Sequence, residues 1–333
     1  MSRFDRLGLR RFRGRDAIFA VLLAAVLLVL FEGASVRKAG EAMTPGIGRS
    51  LVLAVGQPAG WIADRLPLAS AVHTATAWLS PEQKLDSAGG FDTQLGATGA
   101  AGQVPPVTPD AFDAATIGAP APVRRPLHTL LITGDSMSMP LDADLAQRLA
   151  PRGVHVIRDP HIGTGISNSF IVDWGRLATT QVAHDHPDAV VVFIGANEGY
   201  PMTGPNGRSV ACCSAAWAAI YANRARQIAS TYRQAGVARV YWLTVPAPRE
   251  AAREAIARVV NAAVDVAAQP WADQVRVIDT VAIFTPGGTY RDAMPIAGVA
   301  TIVRQADGIH LNDAGSSLLA DTVLAAIAMD FTY

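Results

Sequence analysis

The chain has 333 residues, with 28 Lys and Arg balanced by 28 Asp and Glu, so its formal net charge is zero. A chain without a basic surplus lacks the charge that typifies nucleic-acid-binding proteins, and no nucleic-acid partner is predicted. The only two cysteines, Cys212 and Cys213, are adjacent, which is neither a disulfide framework nor a metal-ligand spacing. They are either two small buried residues in a loop or a vicinal disulfide formed in an oxidising compartment.

The N-terminal 36 residues have the pattern of a membrane anchor. Residues 1–16 form a basic segment with six arginines, and residues 17–31 carry no polar side-chain atom. This apolar run spans about 22 Å as a helix, and extension to residue 36 reaches the length needed for a hydrocarbon core of about 30 Å. The sequence predicts a transmembrane signal-anchor over 17–36, and a cleaved signal peptide is the alternative. The positive-inside rule predicts a single-pass protein of the inner (plasma) membrane, with everything after residue 36 on the extracytoplasmic side.

Two further segments separate this anchor from the main domain. Residues 37–79 are predicted to form short membrane-proximal helices, because Pro and Gly interrupt the apolar stretches too often for a second span. Trp61 and Trp78 suit either a membrane surface or packing against the main domain. Residues 80–125 are rich in Gly and Ala and then in Pro, which predicts a flexible linker and a domain boundary near residue 125.

Residues 126–333 alternate regularly between strand-like and helix-like patterns. This alternation predicts right-handed βαβ crossovers and a parallel sheet, and the apolar strands indicate that both of its faces are covered. The predicted strands lie at 128–133, 154–158, 188–194, 239–245 and 275–279, and the predicted helices at 142–150, 171–184, 214–235, 249–268 and 313–329.

Polar and glycine residues follow the first three predicted strands and precede the last helix. These blocks are Gly134-Asp135-Ser136, the loop 159–165, Gly195-Ala196-Asn197-Glu198 and Asp307-Gly308-Ile309-His310. In an open parallel sheet, ligands and chemistry collect at the carboxyl ends of the strands. The four blocks are therefore predicted to meet at one edge of the sheet.

The residue types in these blocks suit acyl transfer. A serine hydroxyl becomes a nucleophile when a base takes its proton, so Ser136 is the predicted nucleophile and His310 the predicted base. Asp307 is placed to orient the imidazole of His310 and to stabilise its charged form. The backbone N–H groups of Ser136 and Gly165 and the side chain of Asn197 are the predicted oxyanion hole. Each residue also has a structural alternative, such as a helix cap for Asn197 or a surface position for His310, but their joint order favours catalysis. This chemistry requires no cofactor and no metal.

The four blocks resemble the signature blocks of the SGNH (GDSL-type) hydrolase superfamily, over about residues 126–330. The resemblance implies an α/β fold, a flavodoxin-like three-layer α/β/α sandwich with a parallel five-stranded sheet in the order 2-1-3-4-5. It implies the same roles for Ser136, Asp307, His310, Gly165 and Asn197. The anchor, the linker and the 304–310 ending further resemble a membrane-anchored bacterial subgroup of uncharacterised function. Relatives in the wider superfamily suggest acylation or deacylation of cell-envelope glycans.

The sequence departs from the pattern of the superfamily at three points. Ser138 follows the nucleophile closely as a second hydroxyl, and Glu198 stands where many relatives carry Asp. The second block offers both Gly163 and Gly165, and the Thr-Gly pair favours Gly165. Asp135 is predicted to brace its loop through hydrogen bonds and not to act as the working acid.

The predicted protein is an extracytoplasmic serine esterase that acts on small acyl esters, acetyl above all, of cell-envelope glycans through an acyl-serine intermediate. The alternatives are an O-acyltransferase with the same site, a lipase or thioesterase, and a non-enzymatic envelope scaffold. A lipase requires a large apolar groove, whereas the insertion at 199–213 is mixed and polar. The expected partners are an acylated carbohydrate or other ester substrate, the membrane through the N-terminal helix, and envelope-biosynthesis proteins.

Overall fold

The computed structural model describes residues 107–333, together with the single positions 46, 50, 52 and 54. The predicted basic segment 1–16 and anchor 17–36 lie outside the described residues, as do nearly all of 37–79 and most of the linker 80–125. Among the residues that are described, no helix is long and apolar enough to cross a membrane.

A five-stranded parallel sheet forms the centre of the described domain. Its order along the sheet is 2-1-3-4-5, which confirms the predicted parallel arrangement and strand order. The apolar runs of the sequence explain why β1 and β3 lie inside the domain, since nearly all of their residues are buried on both faces of the sheet. The strands are β1 (Thr129–Gly134), β2 (His155–Pro160), β3 (Ala189–Phe193), β4 (Arg239–Leu243) and β5 (Val275–Ile278).

Helices cover both faces of the sheet and produce three layers. Successive side chains of a strand point to opposite faces, so Leu131 packs beneath α2, α3 and α4, whereas Leu130 packs beneath α1 and α6. Side-chain caps fix where four of the helices begin, because a side-chain oxygen accepts a hydrogen bond from a backbone N–H group of the first turn; the capping residues are Asp173, Ser214, Asp279 and Asn312. The helices are α1 (Met139–Leu149), α2 (Trp174–Asp185), α3 (Ala215–Tyr232), α4 (Ala251–Ala268), α5 (Thr280–Phe284) and α6 (Asp313–Asp330).

Three short elements were not predicted from the sequence. Helix α5 has five residues, too few for a helical period to stand out. Two antiparallel hairpins also lie within the connections, one pairing Met202–Thr203 with Ser209–Val210 and the other pairing Ala293–Ile296 with Val299–Ile302. Their strands are short and partly exposed, so they lack the apolar alternation that marks a buried strand.

Residues 107–126, which include the described end of the predicted linker, belong to the same compact unit as the sheet. The segment 107–126 packs along the amino edge of the sheet. Its Asp110 pairs with Arg233 at 3.1 Å, and Arg125–Pro126 forms a short parallel strand pair with Phe331–Thr332. Because ion pairs and one two-residue strand make these contacts, the segment has no periodicity that its sequence could reveal.

The two cysteines lie in the loop that precedes α3. Of the two alternatives, the structure has the vicinal disulfide between Cys212 and Cys213. Cys212 also packs against the apolar cluster beneath α2, α3 and α4.

Candidate active site

Ser136 begins a short helical turn directly after β1. The strand ends at Gly134, where a side chain would collide with the carbonyl oxygen of Phe193 and where φ is +149°, so only glycine fits. Asp135 then caps the turn Ser136–Ser138 by accepting a hydrogen bond of 2.9 Å from the Met137 N–H. The buried strand and its capped turn therefore fix the backbone of Ser136 at the carboxyl edge of the sheet.

Ser136, His310 and Asp307 form a continuous hydrogen-bonded chain. The His310 Nε2 atom lies 2.8 Å from Ser136 Oγ, across 174 positions of sequence. The other ring nitrogen, Nδ1, lies 2.5 Å from Asp307 Oδ2. With the proton on Nδ1, Nε2 is free to accept the hydroxyl proton of Ser136, which is the arrangement that an activated serine needs.

Asp307 is held by the same loop that it helps to shape. Its Oδ1 atom accepts hydrogen bonds from the backbone N–H groups of Ile309, at 2.8 Å, and His310, at 3.1 Å. Partial burial opposes ionisation of Asp307, but the hydrogen bonds from His310 and Ile309 outweigh it and place the pKa of the carboxyl below its ordinary value. The group that orients His310 is therefore a carboxylate at neutral pH.

Gly165 and Asn197, the other two predicted oxyanion donors, lie against each other. A Cβ atom at Gly165 would stand 2.8 Å from the Asn197 carbonyl oxygen, so no larger residue fits there without movement. Gly163 is exposed, and a Cβ there would meet no atom within 4 Å. Close packing thus favours Gly165 over Gly163. Within 107–333, the backbone N–H groups of Ser136 and Gly165 have no hydrogen-bond acceptor, which leaves both available to a ligand.

Asp135 has the hydrogen-bonding role that the sequence predicted for it within its loop, and it also connects the ends of β1 and β3. Its Oδ2 atom accepts hydrogen bonds from the backbone N–H groups of Gly195, at 2.9 Å, and Ala196, at 2.8 Å, and a longer one of 3.5 Å from Asn197 Nδ2. Complete burial raises the pKa of Asp135, and these backbone hydrogen bonds oppose the rise. The carboxyl holds Asn197 beside the loop that carries Ser136.

The second hydroxyl of the first block is turned into the protein. Ser138 is fully buried, and its Oγ donates a hydrogen bond of 2.8 Å to the carbonyl oxygen of Asp135. Ser136 is only partly buried and contacts the imidazole of His310. The geometry therefore distinguishes the two serines that the sequence places two residues apart.

Glu198 has a part in the site that the sequence did not reveal. Its buried carboxylate accepts hydrogen bonds from the backbone N–H groups of Ile166, at 2.7 Å, and Ser167, at 2.8 Å, and from the hydroxyl of Tyr221, at 2.9 Å. Burial raises the pKa of Glu198, against the effect of these hydrogen bonds. The side chain clamps the loop of Gly165 to the loop of Asn197. The only feature of the sequence that pointed to Glu198 was that it stands where many relatives carry Asp.

Two arginines, also unassigned by the sequence, hold the loop of His310. The backbone N–H of Arg249 donates to the Gly308 carbonyl at 2.9 Å, and its Nη1 donates to the Ala306 carbonyl at 3.0 Å. Arg304 is 3% exposed, and its Nη2 donates to the Gly308 and Ala247 carbonyls, both at 3.3 Å. The only sequence signal for Arg304 was its place at the start of the 304–310 ending. In the part of the chain that the structure describes, no group of three or more His, Cys, Asp or Glu side chains could hold a metal ion.

The fold and the four blocks together define a protein of the SGNH (GDSL-type) superfamily. Residues 129–326 match the family model described as "Protein of unknown function (DUF459)", and the chain belongs to this family. Among solved structures, the chain is similar to the C-terminal catalytic domain of Streptococcus pneumoniae peptidoglycan O-acetyltransferase A (OatA) with a methylsulfonyl adduct. That similarity has 16% identity and a TM-score of 0.36, over 62% of this chain and 95% of the other. No curated protein matches the chain.

Proposed function

We propose that this protein is an extracytoplasmic serine esterase that removes small acyl groups, acetyl above all, from cell-envelope glycans. The observation that carries the proposal is the hydrogen-bonded chain from Ser136 Oγ through His310 to Asp307. It lies at the carboxyl edge of the parallel sheet, beside two backbone N–H groups without an acceptor among the described residues. Nucleophile, base, orienting acid and oxyanion donors are the parts that acyl transfer through serine requires.

The first half of the reaction forms an acyl-enzyme. The Nε2 atom of His310 takes the hydroxyl proton while Ser136 Oγ attacks the ester carbonyl carbon. The negative charge that develops on the carbonyl oxygen is stabilised by the N–H groups of Ser136 and Gly165 and by the side-chain amide of Asn197. Removal of one such donor typically raises the barrier by about 3–4 kcal/mol. The tetrahedral intermediate then collapses, the ester C–O bond breaks, and the imidazolium protonates the departing sugar oxygen.

The second half of the reaction releases the acyl group. A water molecule gives a proton to His310 Nε2 and attacks the acyl-serine carbonyl through the same oxyanion intermediate. Collapse of this intermediate returns the proton to Ser136 Oγ and frees the carboxylic acid. If a sugar hydroxyl replaces the water, the same steps make a new ester, so an O-acyltransferase is the second candidate for this site. A lipase or thioesterase uses the same steps on another substrate. A non-enzymatic scaffold does not require a serine hydroxyl that is hydrogen-bonded to a histidine.

The experiment that tests the proposal is labelling of the full-length protein with a fluorophosphonate probe. Its phosphorus forms a bond to an activated serine Oγ while fluoride leaves. We expect wild type and Ser138→Ala to be labelled and to hydrolyse 4-nitrophenyl acetate, and Ser136→Ala to do neither while keeping its thermal midpoint. Equal labelling of Ser136→Ala and wild type would overturn the proposal.

The choice between hydrolase and transferase is tested with acceptors. Acyl-enzyme formed from 4-nitrophenyl acetate is offered water alone or an added oligosaccharide, and the products are separated by mass. Acetate alone in the presence of the oligosaccharide supports the esterase, whereas an acetylated oligosaccharide supports the transferase.

Location at the extracytoplasmic face of the inner membrane is part of the proposal and follows from the basic segment 1–16 and the apolar segment 17–36. Envelope-biosynthesis proteins are the proposed partners there. An alkaline phosphatase reporter, active only outside the cytoplasm, is fused after residue 40. We expect activity from this fusion and none from one that lacks residues 17–36. An inactive fusion after residue 40 contradicts the proposed orientation.

A further inference from the structure

An exposed pair of aromatic side chains lies on the loops that carry Gly165 and Asn197. Phe170 is 78% exposed and Tyr200 is 42% exposed, and their rings meet edge to face with centroids 5.7 Å apart. Large exposed aromatic side chains on a soluble surface commonly mark a binding surface, because they offer apolar area that loses little conformational entropy on binding.

The loops beneath this aromatic pair are held in place. The Tyr200 N–H donates to Ser167 Oγ at 3.4 Å, and the Tyr200 carbonyl accepts a hydrogen bond of 2.8 Å from Trp217 Nε1. Ser167 Oγ in turn donates to the buried Glu198 at 2.5 Å. The aromatic pair is therefore fixed to the same scaffold that fixes the oxyanion donors.

A cleft of about 390 Å³ is lined by residues that include Asn197 and Tyr200. Its walls combine aromatic and apolar groups with polar ones: Asn197, Tyr200 and Ile256 face it, with Glu250 and Arg253. Arg253 is held by its own contacts, since its Nη1 donates to the Ala196 carbonyl at 3.3 Å and its Nε donates to Glu250 Oε2 at 3.2 Å. Asn197, one of the candidate oxyanion donors, also lines this cleft, so the cleft and the candidate active site adjoin at this residue.

We propose that this cleft and the Phe170–Tyr200 pair bind the sugar rings of the ester substrate; the inference rests on the function proposed above. A sugar ring has an apolar C–H face, which suits the aromatic rings, and a rim of hydroxyls, which suits Asn197, Glu250 and Arg253. A long acyl chain has no polar group to hydrogen-bond with the Glu250–Arg253 pair, so it would take water away from these charges and give no new hydrogen bond in return. The mixed wall thus favours a carbohydrate over a fatty-acyl chain.

The test compares sugar esters with a small ester that has no sugar, in three full-length variants. Tyr200→Ala and Phe170→Ala each remove one ring, and Phe112→Ala is the matched control, because Phe112 is 49% exposed in the segment before β1. The probes are O-acetylated trisaccharides of N-acetylglucosamine, mannose and galactose, together with 4-nitrophenyl acetate. We expect the Tyr200 and Phe170 variants to lose about tenfold in kcat/KM on at least one trisaccharide, mainly through KM, and to keep 4-nitrophenyl acetate hydrolysis within about twofold.

A binding measurement separates this inference from the esterase itself. The unacetylated trisaccharides are titrated into Ser136→Ala protein by calorimetry, with and without Tyr200→Ala. Binding that is lost with Tyr200 supports the sugar site even where no ester is turned over. Three results overturn it: no trisaccharide binds, both rings can be removed without loss, or the variants lose 4-nitrophenyl octanoate hydrolysis instead.

Discussion

Asp307 makes three hydrogen bonds with a single loop, and the division of its two oxygens between them explains its place in the site. Oδ2 faces the imidazole of His310, while Oδ1 is used by the backbone N–H groups of Ile309 and His310. Gly308 makes the turn possible, since its φ is +73° and a Cβ there would stand 2.6 Å from that of Arg249. The orientation of the His310 imidazole therefore depends on the Asp307 carboxylate and on the turn around it.

We expect Asp307→Asn to lower kcat for 4-nitrophenyl acetate by about 10²- to 10⁴-fold. The amide NH₂ of asparagine would face one of the groups that now donate to Asp307, namely a backbone N–H or the His310 ring. If the ring pairs with the amide oxygen instead, the charged imidazolium of His310 is no longer stabilised by a neighbouring negative charge. Steady-state kinetics at neutral pH measure the loss, and thermal unfolding shows whether the fold is kept. Asp313→Asn, an exposed acid six residues further on, should change kcat less than twofold. Full activity in the Asp307 variant would remove this residue from the mechanism.

At the scale of elements, two buried carboxylates join the loops that follow β1, β2 and β3. Asp135 spans from the β1 loop to Gly195 and Ala196 after β3. Glu198 spans from the β3 loop to Ile166 and Ser167 after β2. Burial raises the pKa of both carboxyls. Three loops that would otherwise move independently are thereby held at one edge of the sheet.

The raised pKa of Glu198 predicts a pH dependence of stability. Above the ordinary glutamate pKa of 4.5 the folded state holds the Glu198 proton more tightly than the unfolded state, so stability falls as pH rises towards the raised value. Glu198→Gln should flatten this part of the curve of unfolding free energy against pH, measured by urea titration between about pH 4.5 and 8. It should also cost about 1–3 kcal/mol, because an amide cannot accept from all the donors around it.

The control for this measurement is Glu254→Gln, which removes a carboxylate paired with Arg258 on the outside of α4. Its curve should keep the wild-type slope. An unchanged slope in the Glu198 variant would show that its titration is not linked to folding.

At the scale of the whole described domain, the candidate active site and a buried ion-pair network lie at opposite edges of the sheet. The four blocks lie at the carboxyl edge, and an ion-pair network lies towards the amino edge. In that network Arg276 of β5 donates to both oxygens of Asp330 at 2.9 Å and pairs with Asp113 at 3.1 Å. Tyr241 of β4 donates to the same carboxylate at 2.7 Å, and burial raises the pKa of that phenol. The network fastens α6 and the segment before β1 to the central strands.

Asp330→Asn should destabilise the protein without touching its chemistry. Breaking a buried ion pair by removing one partner costs about 3–5 kcal/mol when the remaining charge has no other partner; because Arg276 keeps its pair with Asp113, we expect a loss towards the lower end of this range. Chemical denaturation measures the loss of stability. At denaturant concentrations well below the unfolding midpoint, kcat should stay within about twofold of the wild-type value. Asp321→Asn, which removes a pair between Arg148 and a mostly exposed carboxylate, should cost less than about 1 kcal/mol. A large loss of kcat with unchanged stability would contradict this separation of the two edges.

The sequence by itself determined the order along the chain of the five central strands and the five longer helices, and the residues that follow the strands at the carboxyl edge. Both follow from local signals. Apolar runs define buried strands, and a Gly, Asp or Asn directly after a strand marks the turn that ends it. The sequence also predicted Asp307, and not Asp135, as the acid that orients the histidine, because Asp307 lies three residues before His310.

Only the tertiary structure decided which side chains meet. The approach of His310 to Ser136 and the packing of Gly165 against Asn197 depend on contacts between segments far apart in the chain. The same holds for the buried Glu198 clamp and for the docking of 107–126 on the sheet. Hydrogen bonds and close packing fix these features, and neither leaves a periodic mark in the sequence, because each depends on a partner that the fold alone brings near.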